Sequence, residues 1–148
     1  DEELITSWYR LGIYMPFFRA HSHIDTLRRE PWCFSDEASS NIKSSILLRY
    51  KLLIYLYTQF FLSTNDKYGN HSPIMRPLWY QYPDVKDIEK NETSFCFGPS
   101  VIVSIMPEKN KVPKGINTEY EIDRDGEIVK SDGNLKAMKH IRQQVVQG

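Results

Sequence analysis

Arg19, His21, His23 and Asp25 place a guanidinium, two imidazoles and a carboxyl group within seven residues. Guanidinium and imidazole groups both donate hydrogen bonds, so Arg19 and His21 could hold a hydroxyl group in a fixed orientation. The His21-Ser22-His23 spacing also suggests a metal site, because H-x-H on a strand puts both rings on one side. A barrel-type metal centre needs further ligands from other strands. The chain offers only His71 and His140, both in unrelated contexts, and the metal reading is set aside. Taken alone, His21 is first of all a surface-loop histidine.

Other candidate chemistry is sparse. Glu121 to Asp132 fits part of a calcium-loop pattern through Asp123, Asp125, Gly126 and Ile128, but its first and last positions are Glu121 and Asp132 and no helix leads in. A two-strand hairpin with an Asp-Gly turn accounts for it better. Cys33 and Cys96 are far apart and form no C-x-x-C pair, which excludes zinc ribbons and thioredoxin-like redox sites; one disulfide or two free thiols both remain open. Asn70-His71-Ser72 and Asn91-Glu92-Thr93 are glycosylation sequons, in keeping with a secretory compartment.

Nineteen basic side chains balance nineteen acidic ones, so no bulk charge draws the chain to nucleic acid or anionic lipid. Mean hydropathy of −0.49 argues against an integral membrane protein. No basic n-region precedes an apolar run near Asp1, so no signal peptide is visible in the sequence.

The elements that must position Arg19 and His21 follow from periodicity. Leu4, Ile5, Trp8, Tyr9 and Leu11 share one helix face from Glu2 to Leu11, with Gly12 as a plausible C-cap. Ile13 to Phe18 reads as a short buried strand, and Arg19 to Asp36 as a polar loop. Glu37 to Ser63 holds no Pro or Gly and predicts a long helix. Its centre, Leu52 to Tyr57, is apolar around the whole circumference, as in a helix buried on several sides. Arg49, Lys51 and Gln59 leave the apolar run too short for a membrane span. Pro73 to Tyr82 and Phe95 to Met106 read as extended segments. Glu119 to Ile122 and Glu127 to Lys130 flank the Asp-Gly turn, and Asn134 to Gln147 closes the chain as a short amphipathic helix. Helix, strand, loop and helix is half of the repeating logic of a parallel α/β barrel, and the change to strands that follows suggests a domain boundary near Thr64 to Ser72.

Three motifs, in order, resemble glycoside hydrolase family 31. Pro16-Phe17-Phe18-Arg19-Ala20-His21-Ser22-His23-Ile24-Asp25-Thr26-Leu27-Arg28-Arg29-Glu30-Pro31-Trp32 is similar to the family's signature around the last barrel strand, and its extended form looks most like the branch containing the catalytic subunit of glucosidase II. Arg49-Tyr50-Lys51-Leu52-Leu53 resembles the start of the final barrel helix. Ile74-Met75-Arg76-Pro77-Leu78-Trp79 resembles the entry to the following β-domain. The resemblance runs from about residue 4 to 109.

That resemblance implies an α/β fragment: the last helix–strand–helix portion of a (β/α)8 TIM barrel in residues 1–65, then the start of a C-terminal β-sandwich domain in 66–111, with an unmatched tail at 112–148. Considered alone, such a chain is α+β. The implied parent is a retaining α-glucosidase using two carboxyl groups about 5–5.5 Å apart. Both are aspartates in Trp-Asn-Asp-Met and Gly-Asp-Asn contexts in the family, and neither context occurs here. The resemblance therefore assigns no catalytic residue. It aligns His21 with the family's substrate-binding histidine and Arg19 with the adjacent arginine. His23, Asp25, Arg28, Arg29 and Glu30 are expected to form a loop-rigidifying network. The implied setting is N-glycan trimming in the endoplasmic reticulum lumen, on glucosylated oligosaccharides, beside a regulatory β subunit and without a cofactor. The alternative is a non-catalytic or degenerate fragment acting through a partner. Several departures fit it: Ile54 and Leu56 stand for Pro and Trp, Tyr68 to Ser72 looks inserted, Phe97-Gly98-Pro99-Ser100 replaces a Gly-Asp pattern, and Ser104-Ile105-Met106 replaces Ala-Pro-Val.

Overall fold

Helix α1 (Glu2–Gly12) starts where Asp1 can cap it: the Asp1 carboxylate accepts from the backbone N–H of Glu3 at 3.0 Å and of Leu4 at 3.3 Å. Glu2 and Glu3 in the first turn and Arg10 in the last suit the helix dipole. Helix α2 (Asp36–Thr64) is capped by Ser35, whose Oγ accepts from the Ala38 N–H at 3.3 Å. The Glu2 carboxylate in turn accepts from Ser35 N–H at 2.9 Å and Ser35 Oγ at 2.6 Å, tying the two helix starts together. Those bonds lower the Glu2 pKa.

The computed structural model describes residues 1–69, 71–104, 116, 118–122, 128–130 and 142–146. Beyond α2 the chain forms strand β1 (Met75–Pro77), the one-turn helix α3 (Leu78–Gln81), a 3₁₀ turn at Ile88–Lys90, and strands β2 (Ser94–Phe97) and β3 (Val101–Ser104). Strands β4 (Thr118–Ile122), β5 (Ile128–Lys130) and β6 (Arg142–Val146) complete an antiparallel sheet in the order β1-β2-β3-β6-β4-β5.

Alternation along β2 and β3 sends side chains to two different cores. Phe97, Val101 and Val103 join Ile13, Tyr14, Leu48 and Leu56 on the helical side of the sheet. Cys96 and Ile102 meet Leu78, Ile88 and Ile116 on the other. Phe97 is fully buried and edge-on to the rings of Tyr14 and Tyr55.

Four local expectations are corrected. Residues 13–18 form no strand. The backbone continues in tight turns, Ile13 N–H to Tyr9 O, Tyr14 N–H to Leu11 O and Met15 N–H to Gly12 O, because no strand among the described residues lies beside it to supply a ladder. Pro73 to Tyr82 divides into β1 and α3 rather than one strand. Phe95 to Met106 likewise divides at Gly98, whose φ of +63° reverses the chain between β2 and β3. In place of a closing helix, Arg142–Val146 is strand β6, inserted between β3 and β4 with Val145 opposite Val101. Backbone groups on β3 not used by β2 attract it, and the adjacent Val145-Val146 pair suits a strand. The rest of the expected helix lies outside the described residues. The hairpin reading does hold: β4 and β5 pair antiparallel with Ile122 opposite Ile128.

Helix α2 is buried along one side only. Ile42, Leu48 and Leu56 are buried, while Leu47, Tyr50, Ile54 and Tyr57 are exposed, because nothing among the described residues covers their face. On α1 the expected apolar face is also partly open, with Leu4 and Trp8 more than half exposed.

Candidate functional site

Arg49 fixes the entry to the Arg19–His21 segment. Its Nη1 donates to the carbonyls of Ile13 at 2.5 Å and Met15 at 2.8 Å, and Nη2 donates to that of Pro16 at 3.2 Å. The guanidinium also lies 5.1 Å from the centre of the Phe18 ring. A single residue of α2 thus gathers three carbonyls that no strand neighbour serves. Phe18 packs edge-on against Tyr9 and close to Gly12, where an added Cβ would meet the ring at 3.0 Å. The chain leaves this anchored turn at Phe18 and delivers Arg19 and His21 to the surface.

There the two side chains meet. Arg19 Nη2 lies 3.0 Å from His21 Nδ1. A guanidinium can only donate, so Nδ1 must be the acceptor and the ring proton must sit on Nε2. The Nε2–H is then the group His21 can offer to a hydroxyl oxygen. Arg19, His21 and Arg29 border a pocket of about 210 Å³ whose walls include Trp8, Phe17 and Phe18. An aromatic wall with convergent donors suits the apolar ring face and the hydroxyl rim of a sugar. Among the described residues, no carboxylate lines the pocket.

The neighbouring loop breaks into separate pairs. His23 Nδ1 is 3.3 Å from Asp25 Oδ2 and accepts the Asp25 N–H. Arg28 holds Glu30 through its Nε and Nη2, which, with the Cys33 thiol donating to the same carboxylate, brings the Glu30 pKa down to about 2. Arg29 stands at the pocket instead of in this network. His21 and His23 thus turn to different partners and do not share a ligand site. Among the described residues, no group of three His, Cys, Asp or Glu side chains converges as a metal site would require. Cys33 is exposed, Cys96 is buried, and both are free thiols.

Sequence reasoning did not single out Arg49, Arg29 or Trp8 for this site. Arg49 carried a signal, a cation within an otherwise apolar stretch of helix. Trp8 gave none, since its spacing is also that of a core residue.

Residues 1–59 match the TIM-barrel domain of glycosyl hydrolases family 31, and residues 71–122 match the C-terminal domain of the same family. The chain belongs to glycoside hydrolase family 31. Neutral alpha-glucosidase AB of Dictyostelium discoideum is 38% identical over 74% of the chain, and that of Mus musculus 39% identical over 70%. The chain spans only 11% and 10% of those two relatives. A family 31 alpha-glucosidase from Bacteroides thetaiotaomicron shares the fold, with a TM-score of 0.74 at 23% identity over the whole chain and 23% of that structure. This family 31 chain therefore carries a barrel end and C-terminal-domain elements, as the motifs implied. No helix among its described residues is long and apolar enough to cross a membrane.

Proposed function

We propose that this chain is the substrate-binding tail end of a retaining α-glucosidase that removes terminal α-linked glucose during N-glycan trimming in the endoplasmic reticulum lumen. The boundary between barrel end and β-domain falls near residue 65. The observation that carries this reading is the Arg19–His21 pair, 3.0 Å apart at the mouth of an aromatic-walled pocket. His21 Nε2–H holds a hydroxyl of the glucose being cleaved, and Arg19 keeps the ring in the tautomer that can do so. The catalytic aspartates and a regulatory β subunit belong to the complete protein, and the substrate is a glucosylated oligosaccharide.

The test is kinetic. In the complete protein containing this segment, His21→Ala should lower kcat/KM on aryl α-glucosides and glucosylated glycans by roughly 10²-fold or more, as lost transition-state hydrogen bonds do. His23→Ala should act on stability and leave kcat/KM within a few-fold. Activity confined to β-glucosides or xylosides would overturn the assignment, and unchanged kinetics in His21→Ala would overturn its role. Residues 1–148 by themselves should release no glucose.

A second reading has its own support. The open face of α2, with Ile54 82% and Tyr57 78% exposed, favours a non-catalytic fragment that works only in association. Glucose release by residues 1–148 alone would end that reading.

A further inference from the structure

Asn91 lies between the 3₁₀ turn at Ile88–Lys90 and strand β2, in extended backbone with φ −84° and ψ 98°. It heads the sequon Asn91-Glu92-Thr93 and is half-buried. Its Oδ1 accepts the Thr93 N–H at 3.3 Å, which engages the oxygen end of the amide and leaves the Nδ2 end free to carry a substituent. Asn91 borders an open cleft of about 460 Å³ together with Arg76, Trp79, Glu89, Glu92 and Thr93. Trp79 is 52% exposed there, an aromatic face without a full cover. Arg76 is only 5% exposed, and its Nε and Nη2, like Thr93 Oγ1, are buried without a hydrogen-bond partner.

These features select the chemistry of the occupant. Two glutamates on the rim oppose an anion, although Arg76 alone would invite one. An apolar peptide would desolvate the same glutamates without offering them a donor. A neutral, polyhydroxylated ring satisfies both conditions: its face lies on Trp79 and its hydroxyls donate to Glu89 or Glu92.

We propose that Asn91 is an N-glycosylation site whose first sugar seats in this cleft against Trp79. In the transfer, Asn91 Nδ2 attacks C1 of the terminal N-acetylglucosamine of a lipid-pyrophosphate-linked oligosaccharide. The N–C1 bond forms, the bond from C1 to the pyrophosphate oxygen breaks, the lipid pyrophosphate leaves, and the amide loses one proton to the transferase's base. The inference rests on the proposed passage through the secretory compartment, and supplying a signal separates the two in the test.

The chain is expressed in mammalian cells behind a cleavable secretory signal, with a control sequon appended after Gly148 to report translocation. Peptide N-glycosidase F and mass spectrometry then locate the glycans. Attachment at Asn91 should persist in Asn70→Gln and disappear in both Asn91→Gln and Thr93→Ala. Transfer precedes folding, so these variants stay informative even if one folds poorly. A chain glycosylated at the control sequon and bare at Asn91 overturns the site. The seat is read by Trp79 fluorescence, with Trp8 and Trp32 changed to Phe. Emission should shift when the folded glycoprotein is trimmed to its first sugar and then stripped, and an unchanged spectrum overturns the seating. The parent protein expressed with its own leader tests the compartment separately; a cytosolic parent overturns the proposed localisation while the acceptor result stands.

Discussion

Replacing Arg49 is expected to release the whole segment that carries Arg19 and His21. Its guanidinium supplies hydrogen bonds to three carbonyls, at 2.5, 2.8 and 3.2 Å, and a cation–π contact to Phe18. Hydrogen bonds from a charged donor contribute about 1.5–3 kcal/mol each, so three set an upper range of roughly 4.5–9 kcal/mol. The true loss is smaller, because the Met15 and Pro16 carbonyls lie in a half-buried stretch that water can enter. Ile13, at 2% exposure, has no such relief. Arg49→Met should therefore cost about 3–5 kcal/mol, a large share of an ordinary domain's stability. Arg49→Lys keeps the charge but loses the planar fork, and should cost about 1–2 kcal/mol. Urea unfolding of the 148-residue chain gives both values, and amide hydrogen exchange over residues 13–18 locates the effect. If Arg49→Lys matches the parent in stability, or Arg49→Met costs less than about 1 kcal/mol, the three carbonyls are not what anchors the segment.

Three further outcomes follow from the same packing. Gly98→Ala should destabilise by about 2–4 kcal/mol in urea unfolding, since φ there is +63° and the new Cβ would sit 2.3 Å from Tyr55 Oη, which donates to Phe97 O and accepts from Ser100 N–H; a neutral effect would refute that contact. Burial raises the Cys96 thiol pKa from 9.0 to about 11, so its contribution is intact below pH 9 and declines as pH rises towards 11. Cys96→Val should flatten that part of the stability–pH curve, and an identical curve would refute the cause. Ile54→Glu combined with Tyr57→Glu should lower self-association in sedimentation velocity while leaving the unfolding midpoint nearly unchanged; loss of the midpoint instead would show that the face is already packed.

Several features were decided by the sequence itself. Asp1 and Ser35 are capping residues whose oxygens reach the first turns of α1 and α2, a local geometry that needs no distant partner. The unbroken run from Asp36 to Thr64 allows little but helix, and the Asp-Gly turn with its flanking segments specified the β4–β5 hairpin. The Arg19 and His21 pair was legible as a motif, because contact at two residues' separation is a local matter. Long-range choices were not legible. Ile13 to Phe18 has a strand's composition, yet a strand needs a neighbour to receive its hydrogen bonds; the carbonyls of Ile13, Met15 and Pro16 find Arg49 instead, more than thirty residues away. Arg142 to Val146 ends a stretch in which Leu135, Met138, Ile141 and Val145 follow a helix's apolar spacing, yet β3 offered unpaired backbone and drew it into the sheet. Periodicity registers which side chains share a face, whereas the state of a segment is settled by which backbone groups arrive beside it, and only the tertiary structure brings those together.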